Sequence, residues 1–314
     1  MKKLTRKITL SLVAILFAVI ALGTTTYAWF TLGTSATVSS IDGTVKAAEG
    51  IEVSLDYNTD NSQKNWSNSL KFSKEKAYLG SQKIGTATTL TNLALVAEEN
   101  KTLSFYDTEA KFSTVDPKEV TGTAIEPNKS GSYLAFDLYV KVSGQNLSKN
   151  LVVNGVEITS NVKNWVSDVT TDGNELETGK TYDVYASNAA RVSFAKVDND
   201  AVRYKGTFEL NKAQSGGTNN AFPEDTASQN GLAKKYADAK GYTGAKDMFD
   251  NFTLFNNGTT KTGNDLLIDT ITTGADKETY LQYRVYIWLN GFDGDCINAI
   301  LGESLKVNFK LELK

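Results

Sequence analysis

The 314-residue sequence contains no histidine, one cysteine and three prolines. Without histidine, Ser-His-Asp and Cys-His nucleophile systems, HExxH metalloprotease sites and His-ligated zinc are all excluded. No pattern marks a carboxylate-based or Ser/Lys mechanism. The sequence therefore predicts that the protein is not an enzyme and that it has no catalytic residues, no metal site and no cofactor.

The single cysteine, Cys296, excludes an internal disulfide framework, so an exported domain of this chain must be held together by its core. Cross-linking of neighbouring molecules through Cys296 is an alternative, but a lone cysteine is more often a small buried hydrophobe. The scarcity of proline, together with plentiful valine, threonine and aromatic residues, favours β structure.

Positive charge is scarce in the body of the chain. The whole chain has 33 basic and 36 acidic side chains, and four of the basic ones lie within residues 1–28, which leaves 29 against 36, a net charge of −7, for the remainder. A mildly acidic chain is not typical of nucleic-acid binders, and we expect no such partner.

Those four basic residues precede Ile8–Gly23, a 16-residue run with only two polar interruptions. A basic stretch followed by an apolar one and a small residue is the pattern of a secretory signal, so residues 1–28 are predicted to be a signal peptide cleaved between Ala28 and Trp29. The protein is then secreted, to the extracellular matrix or the cell surface. An uncleaved anchor that extends through Phe30 is the alternative.

Strict alternation of apolar and polar residues predicts long half-buried strands, most clearly at 133–142, 280–289 and 304–313. Phe136 and Phe309 are expected in the core. Because alternation implies one wet face, we predict an all-β fold of two antiparallel sheets packed as a jelly-roll-like sandwich. The sandwich is assigned to residues 46–314.

Two connections stand out within that body. Residues 198–201, Asp-Asn-Asp-Ala, are predicted to join two strands as a hairpin. Residues 211–265 are polar and glycine-rich, with helical character at 231–252, so they are interpreted as an insertion that carries one or two short helices.

Residues 29–45 are predicted to form an N-terminal donor-strand segment. Within 29–41, Phe30, Leu32, Ala36 and Val38 fall on one face, and Thr34 interrupts it. An extended amphipathic segment freed by cleavage can add as a strand to an exposed sheet edge. The alternative is that this strand pairs within its own subunit.

Three stretches resemble exported proteins of the TasA and camelysin (CalY) group from Gram-positive bacteria. They are GTTTYAWFTLGTSATVSS, YLAFDLYVKV, and the closing pair IWLNGFDGDCINAI and SLKVNFKLEL. The resemblance implies a jelly-roll subunit that polymerises with itself into fibres of the biofilm matrix, the N-terminal segment of one subunit completing the sheet of the next. A metalloprotease label attached to camelysin-type proteins is not carried over, because the chain has no histidine.

Tyr280, Tyr286 and Trp288 lie on the face opposite the predicted core and are candidates for contact with a partner or a carbohydrate; packing against a second layer is the alternative. Asp293 and Asp295 do not have the spacing of a calcium loop and are interpreted as a polar turn. Three functions remain open: a self-assembling fibre subunit, a monomeric cell-surface adhesin or binding module, and, least favoured because histidine is absent, an exported hydrolase.

Overall fold

The structure is a computed structural model. It describes residues 41–56, 60–73, 134–171, 173, 175–199, 201–210, 265–275, 278–290 and 303–314, with the short pieces 78–79, 82–83, 93–96, 104–107, 118–120, 220–221, 239, 261–262, 293, 295–296 and 300. All of these belong to one compact unit, Ser35–Lys314. No helix in these residues is long and apolar enough to span a membrane.

The described residues are mostly strands. In chain order the strands are β1 (Ile41–Ala47), β2 (Ile51–Ser54), β3 (Ser69–Ser73), β4 (Tyr78–Leu79), β5 (Gln82–Lys83), β6 (Leu93–Val96), β7 (Ser104–Asp107), β8 (Lys118–Val120), β9 (Leu134–Ser143), β10 (Ser148–Ser160), β11 (Val162–Val166), β12 (Thr181–Tyr185), β13 (Ala190–Asp198), β14 (Ala201–Leu210), β15 (Asn220–Ala221), β16 (Lys261–Thr262), β17 (Asp265–Thr272), β18 (Glu278–Leu289) and β19 (Leu305–Leu313). A four-residue α-helix, α1 (Ala186–Ala189), and a 3-10 turn at Asn61–Gln63 accompany them.

Two six-stranded sheets form the sandwich, which confirms the predicted fold class. Sheet A has the order β16-β17-β10-β19-β1-β3, and sheet B has the order β15-β14-β13-β18-β9-β2. Their inner faces meet through aromatic contacts: Phe72 of sheet A lies 4.8 Å from Phe136 of sheet B, and Phe309 of sheet A lies 5.0 Å from Phe194 of sheet B, ring centre to ring centre. The expected core positions of Phe136 and Phe309 are confirmed.

The predicted strands have the predicted inner faces. In β9, Leu134, Phe136, Leu138, Val140 and Val142 are all buried, and in β19 the buried set is Leu305, Val307, Phe309 and Leu311. The hairpin at 198–201 is also present, because β13 pairs with β14 and Asp198 lies opposite Ala201. Asn199 adopts a positive φ of 46°, which a tight two-residue hairpin loop requires.

Two details of sheet A add to the sequence prediction. Residues 41–45 of the predicted donor segment belong to β1 and are therefore part of this sheet. The pairing is also not wholly antiparallel: β1 runs parallel to β19, with Ile41 opposite Leu305 and Ala47 opposite Leu311, and antiparallel to β3 on its other side. The N-terminal strand of the body is therefore an interior strand of sheet A.

The predicted insertion at 211–265 contains the two short edge strands β15 and β16, and its last residue, Asp265, starts β17. The predicted helices at 231–252 lie outside the described residues, apart from Ala239. Outside the sandwich, β7 forms a small three-stranded sheet with β6 and β8.

Gly43 in β1 makes room for the ring of Phe72, its cross-strand neighbour in β3. A Cβ at this position would overlap Cζ of Phe72 and the carbonyl oxygen of Val307. A glycine inside a strand commonly marks such a close approach. The aromatic contact between Phe72 and Phe136 therefore depends on Gly43.

Replacing Gly43 by alanine is expected to destabilise the protein by about 1–3 kcal/mol, because the ring or the strand must move. The measurement is the free energy of unfolding by urea. Thr44→Ala, on the next and half-exposed residue of the same strand, is the control and should change stability by about 0.5 kcal/mol or less. Equal stability of Gly43→Ala and the parent would show that Phe72 does not cover this strand.

Candidate functional site

The end of sheet A at which the chain enters β1 is the first candidate surface. Ile41 lies opposite Leu305, and Leu305 also pairs with Ser160, the last residue of β10. The chain then continues directly from β10 into β11. The root of the N-terminal segment and the start of β11 therefore lie at the same end of sheet A.

β11 and β12 form a separate two-stranded ribbon at this end, with Asn164 opposite Asp183. Its inner face packs on the body: Trp165 and Val184 are buried, and Nζ of Lys163 lies 2.9 Å from a carboxylate oxygen of Glu303. Its outer face carries Val162 and Val166, which are 50% and 57% exposed. This outer face is defined here as Val162, Asn164 and Val166 with their partners on β12.

The two valines are conspicuous because valine is normally buried in a sheet. The alternation in VKNWV indicates a strand with a valine face and a lysine–tryptophan face. The sequence alone did not identify this surface, since the pattern shows two faces but not which of them the body covers.

Of the three predicted partner-facing aromatics, only Tyr280 is exposed, at 39%. Its ring lies 5.7 Å from the half-buried ring of Trp66, centre to centre. Lys141 pairs with Glu52 and lies 5.5 Å from the centre of the Trp66 ring. These side chains hold segment 60–67 against the outer face of sheet B, a role for Trp66 that sequence reasoning missed.

Within this cluster the hydroxyl of Tyr280 donates a hydrogen bond to Glu278. That hydrogen bond, aided by burial and by the charge of the carboxylate, raises the pKa of Tyr280. The Trp66 indole N–H donates to the carbonyl oxygen of Asn61 at 2.9 Å. The polar groups are thus already engaged, which favours an anchoring role for this cluster.

The prediction that Tyr286 and Trp288 face a partner is wrong for this chain, because both are fully buried. Trp288 lies opposite Arg191 in the sheet register, and Arg191 reaches Asp293 in the β18–β19 connection. Asp293, one of the described residues of that connection, therefore lies over the outer face of sheet B at this end, where the alternation predicted a wet face. Burial is also the main cause of the raised pKa of Tyr286.

Arg191 is the centre of a buried charge cluster, defined here as Arg191, Glu209 and Asp293. Its Nη2 lies 2.5 Å from a carboxylate oxygen of each acid, and Nη1 donates to the carbonyl oxygen of Ala190 at 3.0 Å. Burial alone would lower the pKa of Arg191, but the charges of Glu209 and Asp293 outweigh it and raise the pKa. The guanidinium therefore stays charged and ties the connection to the sheet.

The hydrogen bonds of this cluster also bear on Asp293 and Asp295, the pair of carboxylates considered above as a calcium loop. Oδ2 of Asp293 is held by Arg191, while Oδ1 accepts the backbone N–H of Asp295 at 2.8 Å. In the part of the chain that the structure describes, no group of three or more His, Cys, Asp or Glu side chains is placed to hold a metal ion. Cys296, the cysteine considered for cross-linking, is buried, with 7% of its surface exposed.

The predicted cleavage residues Ala28 and Trp29 and the predicted donor residues Phe30, Leu32, Ala36 and Val38 lie outside the described residues. The last five residues of the predicted donor segment, 41–45, are described and belong to β1. No protein-family model, curated protein or solved structure matches this chain significantly.

Proposed function

We propose that this protein is a secreted structural subunit that assembles with copies of itself into extracellular fibres of a biofilm-type matrix. In this proposal the signal is cleaved after Ala28, and the freed N-terminal segment of each subunit completes a sheet of the next. The protein needs no cofactor and is not an enzyme, and its membrane contact ends with removal of the signal.

The observation that carries the proposal is which strands build the two sheets. Within the described residues, twelve strands that start at or after Ile41 already pair into two six-stranded sheets whose inner faces meet. An amphipathic segment that precedes such a sandwich, with an apolar face of its own, can add as a strand to another molecule.

The interior position of β1 fits the same role. The segment is rooted in a strand that is hydrogen-bonded on both sides, to β19 and to β3. A pull on the segment would load two neighbouring strands together and would not peel off an edge strand. Such a root suits a subunit that must transmit tension along a fibre.

A monomeric cell-surface adhesin or binding module on the same sandwich is the second candidate. The exposed ring of Tyr280 beside Trp66 favours it, since half-exposed aromatic rings can bind a partner. The saturated hydrogen bonding of this cluster weakens that alternative. Electron microscopy of the secreted protein separates the two candidates, because only the first produces fibres.

Export is tested by the mass of the secreted species. Secreted protein is expected to begin at Trp29, because Ala28 supplies the small residue before the cut, and Ala28→Asp should leave the precursor in the membrane. Ala36→Asp, beyond the cut, is the control and should still be processed. A secreted species that retains Lys2 would favour the anchored alternative.

A further inference from the structure

We propose that the free edge of β11 is the acceptor for residues 30–38 of a second copy of this chain. The inference rests on the proposed fibre function and adds the site at which the segment binds. A strand can add to an edge that presents outward-facing backbone N–H and C=O groups.

The hydrogen-bond pattern shows which backbone groups of β11 face outwards. The N–H of Ser167, one residue beyond β11, donates to the carbonyl oxygen of Lys180 at 3.0 Å, so it points towards β12. Backbone groups alternate in direction along a strand, so those of Val162, Asn164 and Val166 point away from β12. Within the described residues, no strand pairs with this edge.

The other edges of the sandwich are less suitable. β2 is bridged by Ser67, whose carbonyl oxygen accepts the N–H of Val53 at 2.8 Å. Charged side chains, which block strand addition, lie along the remaining long edges. They are Lys71 on β3, Arg203 and Lys205 on β14, and Asp265 and Asp269 on β17.

The proposed occupant matches the acceptor in charge and pattern. Residues 29–41 contain no charged side chain, and β11 offers two exposed valines separated by the uncharged Asn164. The outward groups of β11 span roughly 13 Å, whereas nine extended residues span roughly 30 Å, so the segment is long enough to pair along the whole edge. Its alternate apolar residues then meet Val162 and Val166 on one face.

Photo-cross-linking of the mature full-length chain tests the site directly. Phe30 is replaced by the photoreactive residue p-benzoylphenylalanine, and copies labelled with nitrogen-15 are mixed with unlabelled copies. We expect cross-linked peptide pairs that join residue 30 to 160–168 and that carry mixed isotopes, since the two partners are different molecules. Cross-links confined to one isotope would show docking within one molecule, and cross-links to another strand would place the acceptor elsewhere; either result overturns the proposal.

Proline variants supply a matched control on the same ribbon. Asn164→Pro removes an outward N–H of β11 without removing a bond to β12, and it should reduce fibre yield at least tenfold. Asp183→Pro makes the equivalent change on the outer edge of β12 and should leave the yield within twofold. The double change Val162→Asp and Val166→Asp should act like Asn164→Pro, and circular dichroism melting confirms that each variant is folded.

The results also separate this proposal from the proposed function. Fibres in the parent that persist in Asn164→Pro and in the double aspartate variant would reject the β11 acceptor but keep the fibre function. Absence of fibres in the parent under all secretion conditions, with no mixed-isotope cross-link, would reject both.

Discussion

Replacing Arg191 by alanine is expected to destabilise the protein by about 3–5 kcal/mol, a large share of the about 5–15 kcal/mol that holds a typical domain folded. The change leaves Glu209 and Asp293, whose side chains are 3% and 0% exposed, without the cation that lies between them. Two buried carboxylates would then repel each other and lack the compensation for their desolvation. Urea denaturation at neutral pH measures the loss.

Surface ion pairs provide the control for this prediction. Lys180→Ala removes a pair with Glu177 in which both side chains are about half exposed, and it should destabilise the protein far less than Arg191→Ala does. A loss at neutral pH no larger than that of Lys180→Ala would mean that water reaches the cluster.

The strand register that brings Glu209 to Arg191 could not be predicted from the sequence. The hairpin at 198–201 was predicted, and an unbroken register counted back from Asp198 and Ala201 would place Phe208 opposite Arg191. The structure shifts the register between Phe194 and Ala195, so Glu209 lies opposite Arg191 instead. A single-residue bulge depends on the packing around it, and no local sequence pattern in these two strands predicts it.

The outer face of sheet B illustrates a second limit. Alternation in β18 correctly predicted the inner residues Tyr283, Val285, Ile287 and Leu289. It could not predict that Tyr286 and Trp288 are also covered, because the covering connection follows β18 and is placed by the buried charge cluster. Hydrophobic periodicity shows which face of a strand is more apolar, but it does not show whether another part of the chain covers the opposite face.

The pairing of β1 within its own subunit was not the preferred prediction, for a related reason. Its sequence, IDGTVKA, contains a glycine on the inner face and only two large apolar residues, so its alternation is weak. Its main partner, β19, lies more than 250 residues further along the chain, and Gly43 is explained only by the ring of Phe72. Pairing over such distances is set by the complete fold.

Deleting residues 29–38 is expected to abolish fibre formation and to leave a folded monomer. The body should survive because, in the part of the chain that the structure describes, the strands of sheets A and B already form the sandwich and start at or after Ile41. Assembly should fail because the deletion removes Phe30, Leu32, Ala36 and Val38, the apolar face that we propose is buried in the next subunit. Burial of Phe30, Leu32 and Val38 alone would contribute roughly 5–8 kcal/mol before entropy is counted. Electron microscopy and sedimentation measure assembly, and circular dichroism measures folding.

Point substitutions in the same segment give the sharper form of this prediction. Leu32→Asp should reduce assembly almost as much as the deletion, because it places an unpaired charge in a buried contact. Thr31→Asp introduces the same charge on the opposite face of the strand and should be clearly milder. A synthetic peptide of residues 29–41 should bind the truncated body and block its uptake of full-length subunits. Fibres of normal length from the truncated chain, or failure of that chain to fold, would show that the segment is not an intermolecular donor and would move the adhesin alternative ahead.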